Sequence, residues 1–139
     1  MRVSRFLMAV GMAALIGAGS MAIVSAQAKT DEDFSKLMKA VGASNGALRK
    51  ATGAEQATEA EKLVTLFKDS QQFWTAHNNK EAADWSAAAA MHADGLAKAA
   101  KAGKADEAAG HLKELGGTCQ TCHTKYREKT ETGYAIKKG

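Results

Sequence analysis

The sequence predicts an all-α fold, an antiparallel four-helix bundle. Apolar residues after position 29 recur at steps of three and four, the helical period, and no segment alternates with the period of a strand. Short turns containing Gly or Asn separate these segments, and the 139 residues contain no proline. Short connections favour antiparallel neighbours, so residues 29–129 are expected to form one domain of four helices.

The first two helices have recognisable starts. Thr30 followed by Asp33 indicates the first helix, which then runs to about Ala51. The second starts at one of two capping boxes, Thr52 with Glu55 or Thr58 with Glu61. The sides expected to be buried carry large apolar residues and one histidine: Phe34, Leu37, Met38, Val41, Leu48, Leu63, Leu66, Phe67, Phe73, Trp74 and His77.

Turn signals also bound the last two helices. Asn78-Asn79 precedes the third helix, Gly103 ends it, and Asp106 can cap the fourth, which ends near Lys129. Residues 130–139 carry no apolar period and are expected to be a flexible C-terminal tail. Half of one stripe of the third helix is alanine: Ala82, Trp85, Ala89, His92, Leu96 and Ala99. Because alanine buries little area, the bundle is under-filled and has room for a large flat apolar group.

Residues 1–28 are expected to be a cleaved signal peptide. Two arginines precede a charge-free apolar run over residues 6–24, and Ala26-Gln27-Ala28 or Val24-Ser25-Ala26 offers a cleavage site. The alternative is an uncleaved membrane anchor, because the run is nearly long enough to cross a bilayer. Cleavage predicts a periplasmic protein that has no further membrane contact. The mature chain would carry 17 basic and 15 acidic residues, a net charge of +2 that is too small to suggest nucleic acid.

One motif carries chemistry. Cys119 and Cys122 are three residues apart, so on a helix their thiols lie on one face and can reach the two vinyl groups of one haem. His123 follows at once and can bind the iron as the proximal ligand. Gly116-Gly117, just before the motif, lets a macrocycle approach the backbone. The sequence therefore predicts one covalently bound haem c enclosed by the bundle.

Three other interpretations of the motif fit the sequence less well. A structural zinc site needs four ligands, and no recognisable spacing adds His77, His92 or His111 to the motif. A thioredoxin-like redox pair belongs in a βαβ context, which the sequence lacks. A plain disulfide across so short a loop would be strained.

The motif and its flanks also carry a family resemblance. The segment Gly116-Gly117-Thr118-Cys119-Gln120-Thr121-Cys122-His123-Thr124-Lys125-Tyr126-Arg127 resembles the last helix of the cytochrome c prime and cytochrome c-556 family. Leu37-Met38-Lys39 is similar to the stretch where low-spin members place a distal methionine. Unlike many members, this chain has only Asn78-Asn79-Lys80 between its second and third helices, and it lacks the arginine that often precedes the distal position.

The resemblance implies roles for two further residues. Met38 is expected to be the sixth iron ligand, with His92, Met91 or no ligand as alternatives. Arg127 lies four residues after His123, and the family likeness favours contact with the proximal side or a haem propionate over a solvent-exposed position.

The expected function is one-electron transfer between periplasmic redox partner proteins, and not enzymatic catalysis. The alternative is a five-coordinate haem that binds NO or CO for sensing, buffering or detoxification. A peroxidase-like enzyme ranks last, because no distal acid–base pair is recognisable on the first helix. Family analogy alone also allows a homodimer through the first two helices.

Overall fold

The computed structural model describes residues 30–137, which form an all-α four-helix bundle followed by a small hairpin. The helices are α1 (Asp31–Leu48), α2 (Gly53–Ala76), α3 (Lys80–Lys101) and α4 (Ala105–Tyr126). The strands are β1 (Arg127–Thr130) and β2 (Gly133–Ile136). The expected signal peptide lies outside the described residues. Within residues 30–137, no helix combines the length and the apolar character needed to cross a bilayer.

The helices pack in chain order, each antiparallel to the next, as the sequence predicted. Ser44 in α1 donates to the carboxylate of Glu59 in α2 (2.8 Å), and the hydroxyls of Ser70 in α2 and Ser86 in α3 lie 2.9 Å apart. The pairs α1–α2, α2–α3 and α3–α4 all pack extensively. Direct contact between α1 and α4 is sparse by comparison. We call the space between these two helices the α1–α4 seam.

The helix starts agree with the sequence in part. Thr30 and Asp33, which were predicted to start the first helix, form a capping box at the start of α1, and Asn79 caps α3 by accepting from the Ala82 amide (3.0 Å). Thr52 occupies the N-cap position of α2, but its side chain caps nothing. The prediction that Asp106 caps the fourth helix was wrong. The helix begins at Ala105, one residue before Asp106, so Asp106 lies in its first turn. A carboxylate there still interacts favourably with the helix dipole.

The predicted end of the chain was also wrong. α4 stops at Tyr126 instead of near Lys129, and residues 127–136 form an antiparallel hairpin where a flexible tail and no strand were expected. Gly133 adopts a φ of +150°, which suits glycine at the turn. The side chain of Ile136 packs against the core cluster around Phe34. A single apolar anchor in four-residue strands gives too little pattern to recognise in the sequence.

The core has two parts. The larger runs along the bundle and includes four fully buried leucines, Leu48, Leu63, Leu96 and Leu115, with many alanines between them. The smaller, which we call the aromatic cluster, contains Phe34, Phe73 and Trp74. The prediction that His77 is buried was wrong. It is exposed at the end of α2, where its ring packs on Phe73 with centroids 4.1 Å apart.

Candidate functional site

The three residues of the haem motif lie in the last turns of α4. Cys119 packs against the main core cluster, and Cys119 and Cys122 are both partly buried, free thiols. Successive helical residues turn by about 100°, so Cys122 and His123 lie on opposite sides of the direction in which Cys119 points. The motif therefore presents sulfur, sulfur and imidazole over one broad face of the helix, beside the α1–α4 seam.

The α3 side of this face is acidic. The carboxylate of Glu81, at the start of α3, accepts hydrogen bonds from the ammonium of Lys125 and from the hydroxyl of Tyr126 (2.9 Å). Burial raises the pKa of the Cys122 thiol to about 11, with further contributions from Cys119 and Glu81. Glu81 thus ties the motif's own turn to α3 and holds a negative charge near one of the two sulfurs.

The α1 side of the face is reached by a cation. Arg49 follows the last residue of α1, and one of its terminal nitrogens lies 3.7 Å from the point where a Cβ would stand on Gly116. Burial raises the pKa of the Cys119 thiol, and the positive charge of Arg49 acts in the opposite direction. Arg49 therefore spans the α1–α4 seam one turn before the first cysteine.

Met38 lies in α1 at the level of the motif. It is partly buried and packs against both core clusters. Cys119 packs against the first of these clusters and Tyr126 against the second, so the two residues bracket the α4 segment that contains His123. The thioether is thus in the part of the bundle where a group attached to α4 would reach α1.

His123 is half-buried, and burial together with the charge of Arg127 lowers the pKa of its imidazole. A lowered pKa favours the neutral form of the ring, whose nitrogen lone pair can bind a metal. Arg127 itself was expected on the helical face of His123. It is instead the first residue of β1, because α4 ends one residue earlier, and its guanidinium lies 4.3 Å from the centroid of the Tyr134 ring.

Two aromatic rings flank the end of α4. Trp74 is buried, with its ring centroid 5.3 Å from that of Tyr126, and Trp85 is partly buried, 5.9 Å from the same ring. The Nε1 of Trp74 is buried and has no hydrogen-bond partner among the described residues. A buried donor without a partner costs about 1–3 kcal/mol of folding free energy. A bound group with a polar edge could accept the hydrogen bond from Nε1.

Sequence reasoning missed Glu81 and Arg49. Both come from chain segments far from the motif, and nothing in the local pattern around either residue links it to the cysteines. Their proximity follows from the antiparallel register of α4 against α3 and α1. Only the helix pairing could have indicated them.

The described residues suit a covalent haem better than a bare metal ion. Within residues 30–137, no three His, Cys, Asp or Glu side chains form a group that could hold a metal, so the zinc alternative lacks a ligand set there. Two thiols, a neutral imidazole and a thioether across the seam are the ligands and attachment points that a haem c uses. A shallow groove of about 580 Å³ between α1 and α2 includes none of these residues. No protein-family model, no curated protein and no solved structure matches the chain.

Proposed function

We propose that this protein is a periplasmic monohaem c-type cytochrome that carries one electron between redox partner proteins. The observation that carries the proposal is the Cys119, Cys122 and His123 turn of α4, with both thiols free and partly buried beside the α1–α4 seam, where the two helices make few direct contacts. The haem supplies an iron that alternates between its ferric and ferrous states. Export through residues 1–28 belongs to the same proposal, since thioether attachment retains a cofactor outside the cytoplasm.

His123 and Met38 are the residues that would hold the haem iron. His123 is supported by its neutral imidazole, and Met38 by the two core clusters that it shares with the motif's helix. A His and Met pair raises the reduction potential and leaves no open site, which suits electron transfer rather than gas binding. Arg127, beside His123 and on the ring of Tyr134, holds a positive charge on the proximal side.

The surrounding residues set the polarity and the charge around the proposed haem. The alanine-lined core and the buried rings of Phe34, Phe73 and Trp74 exclude water from the inner side of the motif, which favours the less charged redox state. Glu81 places a negative charge near Cys122, and Arg49 places a positive charge near Cys119. The protein's part is to hold these charges at fixed positions, so that little rearrangement accompanies electron transfer.

The test is expression of the full chain in a bacterium that has a cytochrome c maturation system. The denatured protein should keep the mass of one haem, and its N-terminus should begin at Gln27 or Lys29. The oxidised and reduced spectra should be those of a low-spin haem that does not bind carbon monoxide.

Three outcomes would count against different parts of the proposal. A polypeptide without the haem mass would refute haem attachment itself. A high-spin spectrum that changes on adding carbon monoxide would replace electron transfer with gas binding. Recovery of the intact leader in the membrane fraction would make the protein a tethered cytochrome.

A further inference from the structure

Two histidines outside the proposed haem site face each other between α3 and α4. The ring centroids of His92 and His111 are 6.1 Å apart, and the ring planes meet at 48°. His111 lies twelve residues before His123 on the same helix, about 18 Å along its axis. The pair is therefore a separate feature of the α3–α4 interface and has no role in the proposed electron transfer.

The position of His111 depends on a glycine. A Cβ added to Gly95 of α3 would stand 2.4 Å from Cε1 and 2.6 Å from Nε2 of His111. Both distances are far below a van der Waals contact, so any side chain at position 95 would expel the ring. The missing side chain thus lets the imidazole of His111 lie directly on the backbone of α3, within reach of His92.

His92 has an unused polar atom. Its Nδ1 is buried and has no hydrogen-bond partner among the described residues. A buried imidazole nitrogen without a partner destabilises the folded state. Two carboxylates that lie close to these histidines in the sequence pair with lysines, Asp94 with Lys98 (2.6 Å) and Glu107 with Lys104 (3.0 Å). A metal ion that accepts the lone pair of this nitrogen would supply the missing partner.

We propose that His92 and His111 together bind a divalent first-row transition metal ion, copper(II) most tightly. Imidazole nitrogens bind such metals at about 2.0–2.1 Å, which puts each ring centroid about 3.2 Å from the metal. The centroids of two imidazole rings that bind one metal are then about 4.5 Å apart when the rings occupy adjacent coordination positions. They are about 6.4 Å apart when the rings occupy opposite positions. The observed 6.1 Å lies inside this range.

The site would have two protein ligands, and water would complete the coordination. No third His, Cys, Asp or Glu side chain joins the pair among residues 30–137. Copper(II) ranks highest because nitrogen sites follow the Irving–Williams order. Two ligands and open water positions make the metal exchangeable.

The test is titration of the purified full-length protein with copper(II) alone, followed by calorimetry and by electron paramagnetic resonance of the bound copper. Any thiols that carry no haem are first alkylated, so that they cannot compete. One copper should bind with two nitrogen ligands. His92→Gln and His111→Gln should each weaken binding at least tenfold, because losing even an outer partner of a metal ligand costs about 10- to 100-fold.

Gly95→Ala is the sharpest variant, because it keeps both histidines and changes only the space for His111. It should weaken copper binding to a similar degree, with the helical circular dichroism unchanged. His77→Gln, which removes an exposed histidine at the end of α2, is the matched control and should bind as the wild type does. Wild-type affinity in the His92→Gln/His111→Gln double variant would overturn the proposal, whether or not the protein carries haem.

Discussion

At the scale of single residues, the two thiols lie on one helical turn but next to charges of opposite sign. Cys119 faces the cation Arg49, and Cys122 lies near the anion Glu81, although burial raises the pKa of both. Cys119, Cys122 and His123 could be proposed from the sequence alone, because the motif is contained in five consecutive residues, and their role in haem attachment stays a prediction. It could not place Arg127 on a helical face, because the helix ends before that residue.

Met38→Ala should convert the haem from low-spin to high-spin. The thioether is the proposed sixth ligand, and alanine at this position has no atom that can reach the iron. The methionine-to-iron charge-transfer band should disappear, carbon monoxide should bind, and the midpoint potential should fall by on the order of 100 mV. Visible spectra and redox titration of the exported protein measure all of these.

Met91→Ala is the control for this substitution. Met91 is also a helical methionine, but 61% of its surface is exposed on α3, away from both core clusters. Its replacement should leave the spectrum and the potential unchanged. If Met38→Ala keeps the charge-transfer band, another residue is the ligand, and if Met91→Ala loses it, the ligand is Met91.

At the scale of elements, the starts of α1 and α2 offer a direct comparison of two threonine caps. The Thr30 hydroxyl accepts from the Asp33 amide (3.1 Å), whereas the Thr52 side chain makes no capping hydrogen bond. Thr30→Ala should lower the free energy of unfolding by about 1 kcal/mol, and Thr52→Ala should change it far less. Urea unfolding of the two variants measures the difference. Equal losses would mean that the Thr30 hydrogen bond contributes nothing.

Glu81 joins the start of α3 to the end of α4 and should make this link sensitive to pH. Its hydrogen bonds from Lys125 and Tyr126 hold the pKa of the carboxyl below its ordinary value of 4.5. A carboxyl whose pKa is lowered by folding stabilises the fold above its unfolded pKa, and this contribution is lost as the pH falls through the folded pKa. The pKa of Lys125 is raised above 10.5 by the same contact, so the contribution of the ammonium is lost as the pH rises through that raised value.

Glu81→Gln should therefore lower the melting temperature at pH 7, and the difference from the wild type should shrink below about pH 4. Thermal unfolding monitored by circular dichroism at several pH values provides the comparison. Lys125→Met tests whether the pair acts together, because the double variant should lose less than the sum of the single losses. A difference that stays constant from pH 7 to pH 3 would show that the charge of Glu81 is not what stabilises the contact.

At the scale of the whole molecule, the helical period and the turn residues were enough to predict four helices and their antiparallel order. Those features are local, and each helix can bury its apolar side only against its neighbours. The hairpin escaped prediction because the apolar residue that packs it on the bundle, Ile136 on the aromatic cluster, contacts residues that are distant in the sequence. The sparse contact between α1 and α4 was not predicted from the sequence, because the alanine-rich stripe lies on α3, which packs extensively against α2 and α4.

The sparse contact between α1 and α4 predicts that the stability of the folded state depends on the proposed haem. In the double variant Cys119→Ala/Cys122→Ala, the proposed haem could no longer be anchored, and the α1–α4 seam would lose the group proposed to lie beside it. A group that binds only the folded state adds to its stability, so its loss should leave a weakly helical chain that melts without a sharp transition. Far-ultraviolet circular dichroism during heating measures the effect. Thr121→Ala changes an exposed residue of the same turn and should keep both the haem and the cooperative melt. A haem-free double variant that unfolds cooperatively at the wild-type temperature would mean that the four helices are sufficient by themselves.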